Sequence, residues 1–135
     1  MSTEIEALEK GHRFPAASFV LDQETVGRYA AAVEDQALPP LAEAEGKALV
    51  PPMAVAALAL RALMEALALP AGAVHASQEF RFLRPALVGE RITTSAWLAQ
   101  RSQRKEWLAL AVEMEATGEG GETVLRGRIS ALIPR

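Results

Sequence analysis

Apolar residues along this chain change their period once. The change separates a helical first half from a sheet-forming second half. From Met53 to Leu69, seventeen residues carry only two charges, Arg61 and Glu65. Pro52 suits a first helical position, and Pro70-Ala71-Gly72 ends the run. A helix apolar on nearly every side has to be surrounded, and a curled sheet does that better than one flat neighbour. The segment is too short and too charged for a membrane span. Downstream the period is two. Phe80 and Phe82 alternate with Glu79 and Arg81. Ile92, Thr94, Ala96 and Leu98 share one face, and so do Leu108, Leu110, Val112 and Met114. Leu125, Gly127, Ile129, Ala131 and Ile133 repeat the pattern. Ser102-Gln103-Arg104-Lys105 and Gly118-Glu119-Gly120-Gly121 read as the turns between strands. Upstream, residues 1–13 are a polar lead-in, and Ser18–Leu21 predicts a short strand. Asp22 is a good N-cap for a helix over 22–34, with Val26, Tyr29, Ala30 and Val33 on one face. Residues 35–52 hold four prolines and a glycine and are expected to be a loop. Eighteen residues is long for a compact domain, and such loops are often functional.

Composition narrows the picture. A chain of 135 residues, half of them hydrophobic, is expected to be one globular domain, 1–135. A net charge of −3 argues against nucleic-acid binding. Without cysteine there is no disulfide, thiolate nucleophile or Cys-based metal site, and His12 and His75 are too far apart for a local metal motif, so no metal site is expected. No basic-then-apolar leader is visible, and a cytoplasmic location is the default expectation.

The stretch from Val74 to Ile92 carries the most specific signal. It reads as a strand, a proline-closed turn with a glycine, and the start of a second strand. Its pattern is Gln78-Glu79-Phe80-x-Phe82-x-Arg84-Pro85-x-x-x-Gly89-Glu90. With Val50-Pro51-Pro52-Met53 and Tyr29-Ala30-Ala31-Ala32-Val33-Glu34-Asp35, it resembles the MaoC-like hydratase and dehydratase family, in particular its N-terminal-type domain. The resemblance covers about residues 11–134. It implies an α+β hot-dog fold, a central helix wrapped by a curved antiparallel sheet. It further implies acyl-CoA thioesters as ligands, no separate cofactor, and a homodimer or a heterodimer with a catalytic MaoC-like chain. Acyl tunnels would lie at the dimer interface.

Active members of that family carry Asp-x-Asn-Pro-Leu-His, with Ile allowed for Leu. Its Asp and His share the activation of one water, as general acid–base catalysis requires. Here the matching stretch is Asp35-Gln36-Ala37-Leu38-Pro39-Pro40, so the Asp is kept, the Asn position is Ala37, and the His position is Pro40, or Ala42 if the loop is slipped to align its prolines. The family's His-Gly step at the helix start falls on Pro51-Pro52, and Pro52 has no N–H to polarise a carbonyl. Met53 and Ala54 remain as donors. The catalytic candidates are therefore Asp35 and His75. Val50, Pro51, Pro52, Met53 and Ala54 are candidates to line the acyl site. Arg84, Arg104 and Lys105 are candidates for phosphate, which arginine binds bidentately. Ordinary readings stand beside these: a solvated turn carboxylate, a structural strand histidine, and surface charges on an acidic protein. A weak or non-catalytic acyl-thioester-binding subunit fits the departures best. An active hydratase with a rearranged site and a hot-dog thioesterase are the alternatives. For the thioesterase, only Glu65 on the central helix qualifies as base, and its spacing from Arg61 predicts an ion pair.

Overall fold

A computed structural model describes residues 5–33, 43–44 and 47–134. A 3-10 turn at Ile5–Ala7 precedes β1 (Arg13–Val20) and α1 (Gln23–Val33). Next come β2 (Glu43–Ala44), β3 (Lys47–Val50) and the central helix α2 (Pro52–Leu67). The remainder is β4 (Val74–Phe82), β5 (Ala86–Leu87), β6 (Arg91–Arg104), β7 (Trp107–Thr117) and β8 (Thr123–Pro134). Five strands form one antiparallel sheet in the order β1-β6-β7-β8-β4, and β2-β3-β5 form a small second sheet. This is an α+β hot-dog fold, as the sequence predicts.

Alternation explains the sheet. Every expected core residue of β6 and β7, from Ile92 to Leu98 and from Leu108 to Met114 at alternate positions, is buried. In β8, Leu125, Ile129, Ala131 and Ile133 are buried too. Gly127 is required by its neighbours: a Cβ there would stand 2.9 Å from the Phe80 ring and 3.0 Å from Met114 Cγ. Helix α2 lies on this apolar face through Ala54, Val55, Ala56, Ala59, Leu63 and Leu67. Pro51 is its N-cap, and Ala68 ends it in a left-handed conformation, φ 46°. Among the described residues no helix is long and apolar enough to cross a membrane.

Three details depart from the sequence reading. β1 starts at Arg13 rather than Ser18, because β6 is long enough to pair with it across a bulge between Phe14 and Ala17. The expected loop contains β2 and β3, and β3 pairs with β5, so that Val50 faces Ala86. Helix α2 is not enclosed on all sides. Ala57, Leu58, Leu60 and Met64 are half-buried, while Met53, Arg61 and Glu65 are exposed. One sheet covers one side of a cylinder, and the chain supplies no second cover there among the described residues. Asp22 caps α1 as expected, its Oδ1 accepting from the Thr25 N–H at 2.7 Å, which holds its carboxyl below the usual range. Val26 is buried as expected, while the side chains of Tyr29, Ala30 and Val33 lie outside the description.

Candidate functional site

The start of α2 is where a helix offers N–H groups to a ligand, since its first amides have no partner within the helix. Here that supply is small. Pro51 and Pro52 have no N–H. The Ala54 N–H is already committed to the Pro51 carbonyl at 2.9 Å, and the Val55 N–H points to the same oxygen at 3.4 Å. Met53 is left as the donor, and its side chain is exposed. Val50, buried, and Ala86, buried, close the apolar floor beneath this end. Asp35 lies outside the described residues, with the whole Asp35–Pro40 stretch.

The other candidates do not gather here. His75 is exposed near the start of β4, which follows the C-terminal end of α2. Arg104 and Lys105 lie on the exposed β6–β7 turn, where Trp107 faces Pro134 and Val74 faces Leu132, so they share the sheet end of His75. Sixteen helical residues span about 24 Å. Within one chain the helix start and His75 are therefore at opposite ends of α2. The residues that the sequence grouped into a single site thus lie in two separate places within one chain.

Arg84 sits at the helix-start end, already bound. Its Nη2 is 2.5 Å from Glu90 Oε2 and its Nη1 is 3.2 Å from Glu90 Oε1 and 2.8 Å from the Pro85 carbonyl. Glu90 Oε1 also accepts from the Leu87 N–H at 3.3 Å. The Arg84 hydrogen bond holds the Glu90 carboxyl below its ordinary range, and Glu90 holds the Arg84 guanidinium above its own. Arg84 Nε is 3.2 Å from Glu122 Oε2, but its N–H is not aligned to a hydrogen bond, so that contact is charge–charge only. Gly118 lies against the pair: a Cβ there would come within 2.0 Å of Arg84 Nη2. The bridge ties the β4–β5 turn to the β7–β8 turn. A guanidinium bound to this extent has little freedom to reach a phosphate. Sequence reasoning missed Glu90, Gly118 and Glu122, although the Arg84-to-Glu90 spacing was a visible sign of the pair.

Glu65 and Arg61 form the expected ion pair, 3.5 Å apart and largely exposed on the open side of α2. No group of three or more candidate metal ligands occurs among the described residues. On the outer face of the sheet, a shallow depression of about 770 Å³ is lined by Glu79, Arg81, Glu113, Glu115, Arg126 and Arg128. Arg126 pairs with Glu115 and Arg128 with Glu113 there.

The family model for the FAS1-like dehydratase domain region matches residues 9–126. Among solved structures, a MaoC-like dehydratase from Rhodospirillum rubrum is 19% identical, with a TM-score of 0.80 over 98% of this chain and 97% of that one. The (R)-hydratase of A. caviae involved in PHA biosynthesis is 22% identical, with a TM-score of 0.78 over 96% and 99%. The HadBC (3R-hydroxyacyl-ACP dehydratase) complex of Mycobacterium tuberculosis gives 18% and 0.70 over 98% and 99%. These identities establish shared fold. No curated protein matches.

Proposed function

The chain belongs to the MaoC-like, FAS1-like dehydratase hot-dog family, and on that premise we propose that it is an acyl-thioester-binding member with weak or no hydratase activity of its own. It works in the cytoplasm beside a second hot-dog chain, either its own copy or a catalytic MaoC-like partner. The observation that carries this reading is the start of α2. Two prolines and a self-bonded Ala54 amide leave Met53 as the donor for a thioester carbonyl. Losing an oxyanion donor costs roughly 10²–10³ in rate. A proline in place of the acid–base histidine removes a contribution of about 10²–10⁴. Apolar Val50, Pro51, Pro52, Met53 and Ala54 remain to hold an acyl chain. Arg84 is engaged by Glu90, which leaves the exposed Arg104 and Lys105 as the less committed cations for the nucleotide phosphates.

The exposed Arg61–Glu65 pair disfavours a thioesterase using Glu65 as base. An active hydratase built on Asp35 and His75 is the rival reading. Both are tested by titrating a panel of acyl-CoAs into the protein by calorimetry, then following enoyl absorbance with trans-2-enoyl-CoA. Binding with turnover near background is the expected result. Robust turnover abolished by Asp35→Asn or His75→Ala would establish the rival, and no binding at any chain length would end the proposal.

A further inference from the structure

Sulfur in this chain is confined to methionine. The sequence has four methionines and no cysteine, so no thiolate intercepts an oxidant before the thioethers do. Met1 lies outside the described residues. The other three differ in access. Met114 is 1% exposed in the core between the sheet and α2, Met64 is half-buried on the open side of α2, and Met53 is 53% exposed. No other large apolar side chain among the described residues is as open.

Packing does not ask for a large side chain at this position. The core at this end of α2 is built from Val50, Ala54, Val55, Ala56, Ala86 and Ile92, and Met53 has no share in it. What distinguishes the position is its amide. Pro51 and Pro52 have no N–H, and the Ala54 N–H is bonded to the Pro51 carbonyl at 2.9 Å, which leaves Met53 as the donor of this helix start. The Cα–Cβ bonds of a helix lean toward its N-terminus. The Met53 side chain therefore stands over the end at which its own N–H opens. Thioether and donor are carried by the same Cα.

We propose that Met53 is a reversible oxidation site, and that its sulfoxide lowers the affinity of the helix start for an acyl thioester. The oxidant is hydrogen peroxide. A lone pair of the Met53 sulfur attacks one peroxide oxygen, an S–O bond forms and the O–O bond breaks. The sulfur gives up two electrons and the peroxide takes them. The hydroxide that leaves takes up the proton carried over on the new S–O oxygen and departs as water. An apolar thioether has then become a polar, chiral group. Its oxygen is an acceptor close to the positive end of the helix dipole, where a thioester carbonyl would seek the same N–H. An acyl chain lying against it would take that polar group out of water, which costs affinity. Met64 and Met114 are shielded to increasing degrees, so the core outlasts a dose that converts Met53. The effect on affinity rests on the acyl-binding reading above. The oxidation itself does not, and it is read without ligand.

The test is a hydrogen peroxide titration of the purified chain with peptide mass mapping. Met53 should gain one oxygen at least about tenfold faster than Met64 and Met114. At the dose that converts Met53 but neither of those two, calorimetry uses the acyl-CoA that the untreated protein binds most tightly. Its affinity should be lower by about tenfold or more, with the circular dichroism unchanged. A thiol-dependent methionine sulfoxide reductase should restore it. Met64→Leu should respond to peroxide as the wild type does. Met53→Leu should keep its own starting affinity, whatever that is, through the same treatment. Oxidation of Met53 no faster than that of Met64 would overturn the inference. So would an affinity that peroxide leaves unchanged, or an equal loss in Met53→Leu. An untreated protein that binds no acyl-CoA would end the functional reading instead, and the modification site would then stand or fall on the mapping alone.

Discussion

Replacing Glu90 by Gln should be among the most damaging polar substitutions in this chain, and the structure sets the size. Glu90 and Arg84 side chains are 14% and 24% exposed, with two guanidinium–carboxylate contacts and a third hydrogen bond from the Leu87 N–H. Removing one partner of a fully buried pair costs about 3–5 kcal/mol, because the other charge is left uncompensated. Residual exposure and the Glu122 carboxylate beside Arg84 Nε soften this, so we expect about 2 kcal/mol. Urea unfolding at fixed protein concentration should read that difference as a lower midpoint at unchanged slope. Arg84→Met together with Glu90→Leu should recover much of the loss, since a matched apolar pair carries no orphan charge. The pH dependence has a definite sign. Glu90 has a folded-state pKa below its unfolded value. Its contribution is therefore complete above the unfolded value, near 4.5, and disappears as pH falls through the folded one. Wild type and Glu90→Gln should differ at pH 7 and converge in acid. A difference below about 0.5 kcal/mol at pH 7, or one that persists unchanged in strong acid, would refute the reasoning.

Gly118→Ala should destabilise by a similar amount and through the same bridge, since its Cβ would overlap both Arg84 Nη2 and Glu90 Oε2. If that is the cause, its effect should largely vanish in the Arg84→Met, Glu90→Leu background, a coupling that a double-mutant cycle measures. Asp22→Ala should cost about 1 kcal/mol by loss of the α1 cap. Thermal melts at pH 7 would show it, and a change within error would mean that α1 is held by packing alone.

The sheet was legible because burial of one face forces alternation. Ile92 to Leu98 and Leu108 to Met114 announce their inward sides in the sequence, and their burial follows. β1 was read short because Arg13 to Ala17 carries no such pattern. It is a strand because β6 extends past it and offers hydrogen bonds. β3 and β5 are four and two residues long and lie among prolines, too short for any period to declare itself. The central helix misled in another way. Its all-round apolarity was real, but Leu60 and Met64 are only half-buried in one chain. The candidate site suffered most. Motif order brings Pro51, His75, Arg84 and Lys105 together on paper, and one-dimensional spacing does not say at which end of a helix each residue falls.

The densest family signature in the sequence and the densest polar bridge in the structure coincide. Arg84, Pro85, Gly89 and Glu90 form the recognisable motif, and all four do structural work. Arg84 bonds Glu90 and the Pro85 carbonyl, and Gly89, at φ +93°, turns the chain so that its N–H reaches the Leu21 carbonyl at 2.7 Å. This bridge fixes the chain between β4 and β6 directly beside the start of α2. It can thus persist whatever chemistry that helix start performs, because neither Pro51 nor Met53 contributes to it. Resemblance carried by such a motif speaks for the frame. It does not speak for the reaction, which depends on the groups that the helix start offers to a ligand, and there Pro51 and Pro52 withhold the N–H groups that the bridge never used.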